Sequence, residues 1–272
     1  MARVKFDEKY VFTELEKVGN ALASPVTLYL IGGAAMIKYG LKAATKDIDI
    51  LLHTQKEIAE LNRALLASGY HMIQTDKLGA EYQAMFTTQI LENEDEFRWD
   101  IFQEYVCRKL RLSIGMIERS KVLFETGPLT VRLISKEDIF LLKTVTDRDD
   151  DETDLLLLAR SKVDWELVFQ ECMSQSRRDL RCEIDLFDKL VRLGTSYGLV
   201  TPIYDDISEA ARIGMEKWFE ERIIEELEMS PRTAGEMQER FKCGSETLSP
   251  SPDNLEKMGR IEKENGKYVL KK

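Results

Sequence analysis

Residues 28–52 read LYLIGGAAMIKYGLKAATKDIDILL, and this stretch decides the fold. An apolar, β-prone run from Thr27 to Ile31 stops at Gly32-Gly33, the pattern of a strand entering a glycine turn. Ala34 to Tyr39 restarts as a helix that Gly40 can end. Asp47 to Leu52 alternates and then turns wholly apolar, as a strand does. Paired glycines between strand and helix leave backbone N–H groups free to hold a phosphate, although the same pair also makes a plain tight turn. Asp47 and Asp49, at i and i+2 of a strand, project from one face. Two such carboxylates repel, so the pair either invites a divalent cation or marks a solvated edge. The apolar neighbours Ile48, Ile50, Leu51 and Leu52 weigh against the edge, because ionised carboxylates beside a core need a partner.

Working outward, Phe6 to Ala21 and Lys56 to Ala67 carry apolar residues near helical spacing. Met72 to Thr75, Gln83 to Ile90 and Phe97 to Gln103 read as strands. Ser113 to Arg119 reads as a short helix, and Val122 to Glu125 with Leu129 to Ile134 as a hairpin about Gly127-Pro128. Asp100, a single acid between Trp99 and Ile101-Phe102, is the candidate third carboxylate, or else a strand-end residue. From Ser135, a good helix start with Asp138 three residues on, helical periodicity dominates to about Phe219, with loops near Asp147 and from Gly198 to Pro202.

Taken together, the strand–Gly-Gly–helix, the Asp-x-Asp strand and the lone Asp on a later strand resemble the nucleotidyltransferase superfamily that includes DNA polymerase beta, over roughly the first 105 residues. The resemblance implies that Gly32 and Gly33 seat a triphosphate. It also implies that Asp47 and Asp49 bind two metals, and that Asp100 completes one metal site and helps activate the attacking hydroxyl. Many members have Gly-Ser where this chain has Gly-Gly followed by Ala34. Thr45, just before the pair, is placed to hydrogen-bond and orient Asp47. A second constellation, LLKTVTDRDDDETDLLLL, carries Lys143, Arg148, Asp151 and Asp154. It resembles a segment of the AbiEii and MenT toxin-like nucleotidyltransferases, in which the lysine lies near the nucleotide phosphates. Lys143 offers a point charge and Arg148 a planar fork. Asp149 departs from the family's usual basic residue; the alternative, a solvated acidic loop with internal Lys–Asp or Arg–Asp pairs, is the reading favoured for Arg148 and Asp154, whereas Lys143 reads as functional.

The end of the chain differs again. RIIEELE and TAGEMQERF read as helices, and the run through Ile261, Asn265-Gly266 and Tyr268 as a hairpin. Residues 216–272 thus resemble a winged helix, with Pro250 and Pro252 where its recognition helix should begin and Asp253 as a late N-cap. From Pro231 on there are nine Lys/Arg against seven Asp/Glu, a net of +2 within a chain of net charge −10. The overall acidity excludes a generic nucleic-acid coat but permits local contact with DNA or protein through this tail. Four scattered cysteines (Cys107, Cys172, Cys182 and Cys243) without CxxC spacing read as free thiols in a reducing compartment. His53 and His71 belong to no metal motif. The start MARVKFDEKY lacks an apolar signal core, and no run approaches a membrane span, so a cytoplasmic protein without membrane contact is expected.

The expected architecture is α+β. It comprises a mixed-sheet nucleotidyltransferase core flanked by helices (1–135), a helical region (136–215) and a small winged-helix-like domain (216–272). The expected activity is metal-dependent transfer of a nucleoside monophosphate from a triphosphate to a hydroxyl, with Mg2+ or Mn2+ as cofactor. The acceptor is an RNA 3′ end, a protein or a small molecule, with the toxin-like resemblance favouring RNA and suggesting a toxin–antitoxin pair. The competing expectation is a catalytically idle nucleotidyltransferase fold serving as nucleotide sensor or DNA-binding regulator.

Overall fold

The computed structural model describes residues 3–74, 83, 85–146, 149–177, 180–248 and 250–271. Strand β1 (Phe6–Asp7) leads into helix α1 (Glu8–Asn20), whose first turn is capped by the Asp7 carboxylate accepting from the Tyr10 N–H. Then follow β2 (Val26–Ile31), α2 (Gly32–Lys38), β3 (Ala44–Thr45), β4 (Asp47–Leu52) and α3 (Gln55–Ala67). Thr54 and Glu57 cap α3 reciprocally, which fixes where β4 ends and the helix begins. Next come β5 (His71–Ile73), β6 (Gln89–Glu92), β7 (Arg98–Gln103), the short pair β8 (Tyr105–Val106) and β9 (Leu110–Arg111), and α4 (Ile114–Arg119). The hairpin β10 (Lys121–Thr126) and β11 (Leu129–Leu133) closes this part, as its Gly-Pro turn predicts.

Seven strands form one mixed sheet in the order β10-β11-β2-β4-β7-β6-β5. β2 runs antiparallel to β4 and parallel to β11, and β4 runs parallel to β7. Helices cover the sheet, so β4 reads as a buried strand: all six of its residues are buried, the acids included. Ile48, Ile50, Leu51 and Leu52 are wholly enclosed, each contributing about 1.5–3 kcal/mol. Trp99, Phe102, Leu28 and Leu30 fill the same core from β7 and β2.

The helical part comprises α5 (Lys136–Thr144), α6 (Asp149–Arg160), α7 (Trp165–Gln175), α8 (Cys182–Tyr197) and α9 (Tyr204–Met229). Gly198, in the left-handed region at φ +67°, stops α8. The terminal elements are α10 (Ala234–Phe241), α11 (Ser245–Leu248), α12 (Pro250–Lys257) and the hairpin β12 (Ile261–Glu264) with β13 (Lys267–Leu270). They enclose a second core of Phe219, Ile223, Leu227, Met237, Leu255, Ile261 and Tyr268.

Three expectations change. Among the described residues, the strand expected over Gln83 to Ile90 begins at Gln89, after the left-handed φ of 51° at Phe86, which interrupts extended backbone; Ala84 lies outside the described residues. The boundary expected at 215/216 falls inside α9, a single helix whose early residue Ile207 joins the main core and whose later residues join the second. The prolines expected to delay the last helix instead sit inside α12, at its first and third residues. The first turn needs no intrahelical N–H donor, so proline is tolerated there. Thr75 and Asp147, at the ends of an expected strand and loop, lie outside the described residues.

Candidate active site

The register of the central strands assembles the site. Ile31 pairs with Asp49 across β2 and β4, which puts the following Gly32 directly over the Asp49 carboxylate. Gly32 has φ +60°, and a Cβ there would overlap that carboxylate, so both conformation and space demand glycine. Gly33 is constrained by space alone, since a Cβ on it would overlap the Thr45 hydroxyl. The N-cap of α2, Ile31, supplies no side-chain acceptor to the first amides of that helix.

On the other side of β4, Asp49 pairs in parallel register with Asp100 of β7. Asp47 precedes Asp49 by two residues, so the alternation of the strand puts all three acids on one face of the sheet. All three are buried, Asp100 completely. This face is a poor place for unscreened negative charge, and cations gather at its rim. Arg3 donates from Nη1 to the Asp47 carboxylate at 3.1 Å and from Nη2 to the Lys46 carbonyl at 3.0 Å. The hydrogen bond expected from Thr45 to Asp47 does not form among the described residues, because Thr45 packs instead against Gly33.

Lys143, distant in sequence, comes to the same place. It lies near the end of α5 and shares a narrow cleft with Ile31, Gly32, Asp49, Met85, Phe102 and Thr146. Its Nζ is 2.8 Å from Asp151 and 2.9 Å from Asp154 of α6. Thr146 donates to the other Asp151 oxygen at 2.7 Å. Lys42, from the segment between α2 and β3, donates to both oxygens of Asp154 at 2.8 and 3.0 Å. Two ammonium groups and two carboxylates thus form one chain that ends at the cleft. The internal Lys–Asp pairing and the position beside Asp49 are both real, and the first supports the second by fixing where Nζ sits. Arg148, the expected planar fork, lies outside the described residues.

Sequence reasoning missed Lys42, Arg3 and Thr146. Lys42 lies 112 residues from Asp154 and Arg3 lies 44 from Asp47, so no local spacing announces either contact. His53 and His71 are exposed and away from the acids, and all four cysteines are unbridged.

The donors at the acids are hard oxygens, the chemistry that suits Mg2+ or Mn2+. Asp49 and Asp100, in register on adjacent strands below a glycine that leaves room for nothing larger, fit such an ion. Among the described residues no three His, Cys, Asp or Glu side chains already surround one point, and Asp47 is engaged with Arg3.

The strand register thus sets a glycine turn over an Asp-x-Asp strand, with a third Asp in register beside it. The chain belongs to the family described as nucleotidyltransferase of unknown function (DUF6036), whose model matches residues 9–185. The match takes in the glycines, the three acids, Lys143 and Asp154. None of the curated proteins matches this sequence. Among solved structures, the chain is similar to JHP933 from Helicobacter pylori, with 14% identity over 92% of this chain and 95% of that one, at a TM-score of 0.35. It is also similar to a provisional nucleotidyltransferase from H. pylori, with 16% identity over 78% and 93%, again at a TM-score of 0.35.

Proposed function

We propose that the cleft transfers a nucleoside monophosphate from a nucleoside triphosphate to a hydroxyl group and releases pyrophosphate. The observation that carries this reading is the register Ile31–Asp49–Asp100, which sets the glycine turn and two acids side by side, with Lys143 in the same cleft. Gly32 and Gly33 present α2 amides to the phosphates, and Lys143 neutralises charge that grows on the leaving pyrophosphate. The acceptor oxygen attacks the α-phosphorus, its proton passes to the Asp100 carboxylate, and the bond to the pyrophosphate oxygen breaks with its electron pair. Asp47, Asp49 and Asp100 would hold Mg2+ or Mn2+, with Asp47 exchanging Arg3 for the ion. A divalent cation held by these carboxylates would supply Lewis-acid charge stabilisation to the reaction. The protein's work is positioning and electrostatics.

RNA is the acceptor this reading favours. Residues 216–272, which we read as winged-helix-like, pack the later part of α9 with α10 to β13 around a second core, and Arg232 pairs through its backbone with Tyr268 beside the hairpin. We assign this unit to contact with protein ahead of DNA. Among the described residues, no helix is long and apolar enough to cross a membrane.

The reading is tested by incubating the full chain with α-labelled triphosphates, Mg2+ and mixed acceptors. Label should appear on an acceptor, and Asp49→Asn should reduce its rate by roughly 100-fold or more. No transfer by the wild-type chain, or equal transfer by Asp49→Asn, overturns it. DNA binding that survives Asp47→Ala and Asp49→Ala, in a chain without transfer activity, would establish the regulator instead.

A further inference from the structure

Lys143 is already engaged before any phosphate reaches it. Its Nζ lies 2.8 Å from Asp151 and 2.9 Å from Asp154, and all three side chains are buried. Turning that ammonium towards a triphosphate takes it from both carboxylates. A buried carboxylate whose cation is removed is strongly destabilising, so the move is opposed unless another donor stays behind. Each carboxylate has one. Thr146 donates to the second oxygen of Asp151 at 2.7 Å. Lys42 donates to both oxygens of Asp154, at 2.8 and 3.0 Å, and among the described residues it is the other cation on that group.

The backbone fixes Lys42 in this place. Gly40, at φ +69°, closes α2: its N–H donates to the Ile37 carbonyl at 2.9 Å, and the Leu41 N–H donates to the Met36 carbonyl at 3.0 Å. Ala44 and Thr45 are held as β3 by pairing with Asp7 and Phe6. Lys42 thus stands one residue past a closed helix end and two before a paired strand. Its side chain is 24% exposed against 6% for Asp154, so the ammonium keeps contact with water while it serves a buried acid. The helix whose first amides face the phosphates in the proposed reaction therefore carries Lys42 just beyond its last turn.

Resting on the proposed transfer reaction, we infer that Lys42 is a positioning residue that acts through Asp154: by holding this carboxylate it lets Lys143 exchange Asp154 for the triphosphate. Without Lys42, Asp154 retains Lys143, and the phosphate seat loses its point charge. The consequence falls on triphosphate affinity, and it depends on the negative charge of Asp154.

The test is calorimetric titration of the full chain with inorganic tripolyphosphate and Mg2+, a probe with neither base nor sugar. Lys143→Met should weaken binding, which shows that the probe reads this lysine. Lys42→Met should weaken it by roughly 10- to 100-fold, the range for one charge-assisted hydrogen bond lost from the seat. Lys42→Arg, which keeps a cation on Asp154, should bind much as wild type does. Adding Asp154→Asn to Lys42→Met should restore affinity, because the charge that retains Lys143 is gone. A contact that merely stapled the α2–β3 segment to α6 would not be repaired this way, since the second substitution leaves the staple broken. Binding unchanged in Lys42→Met overturns the inference, as does a loss that Asp154→Asn fails to repair. Binding that falls in Lys143→Met but not in Lys42→Met removes this inference and leaves the reaction standing. Wild-type binding that Lys143→Met does not alter removes both. The full binding pattern in a chain that transfers no label removes the reaction and leaves the role of Lys42 in seating phosphates.

Discussion

At the scale of single residues, Gly32 is the most constrained position in the site. Its φ of +60° disfavours any residue with a Cβ, and the Asp49 carboxylate occupies the space a Cβ would need. Gly32→Ala should lower stability by about 1–3 kcal/mol, read by urea unfolding. It should also reduce label transfer by roughly 100-fold, because a displacement of about an ångström in the phosphate seat is enough for that loss. A variant that keeps both stability and transfer would show that the turn bears no load. This residue was legible in the sequence because a strand, two glycines and a helix follow one another without interruption. Asp47, Asp49 and Asp100 were legible for a similar reason: each is an acid inside a run too apolar to leave it unpartnered. Lys42 and Arg3 were not, since each meets its aspartate only through tertiary folding. Phe86 misled the strand assignment because QAMFTTQI has strand propensity, while Phe86 itself adopts a left-handed φ of 51°.

At the scale of elements, what holds α5 in place also holds Lys143. Arg119, at the end of α4, lies 2.6 Å from Asp138 in the first turn of α5 and 2.6 Å from Glu171 of α7. Burial raises the Asp138 carboxyl above its usual range, against the pull of Arg119 and Ser135. Burial also pushes Glu171 upward, but hydrogen bonds from Arg119, Ser113 and Gln175 prevail and hold it below 4.5. Arg119→Met leaves two buried carboxylates uncompensated and should cost about 3–5 kcal/mol at neutral pH. The sign of the pH effect follows. Glu171's contribution in the wild type is present above pH 4.5 and is lost as the pH falls through its lowered value. In the variant both carboxyls shift upward and are relieved by protonation. The stability gap measured by urea unfolding should therefore narrow from pH 7 towards pH 4, whereas a constant gap would mean that Arg119 acts through packing alone. Ser135 marked the start of α5 in the sequence, yet the three-element tie behind it was invisible there because α4, α5 and α7 contribute one charged residue each. The expected 215/216 boundary lies inside α9, which has no break at the composition change and serves two cores as one helix.

At the scale of the whole molecule, the α+β plan of mixed sheet, helical region and small terminal unit agrees with the sequence, and family membership covers residues 9–185. The sheet order carries the functional argument, because it lays the glycine turn, the acid pair and Asp100 side by side, and α5 brings Lys143 to them. Sequence pattern could place strands but not their order, since β4 pairs with β7 across the intervening α3, β5 and β6. The most direct measurement is a crystal of the full chain soaked with a non-hydrolysable triphosphate and Mn2+, with the metal located by anomalous scattering. The account predicts metal between Asp49 and Asp100, Arg3 released from Asp47, and phosphate oxygens on the Gly32-Gly33 amides and Lys143. Metal bound away from these acids, or a triphosphate seated elsewhere while Lys143 keeps only Asp151 and Asp154, would contradict it.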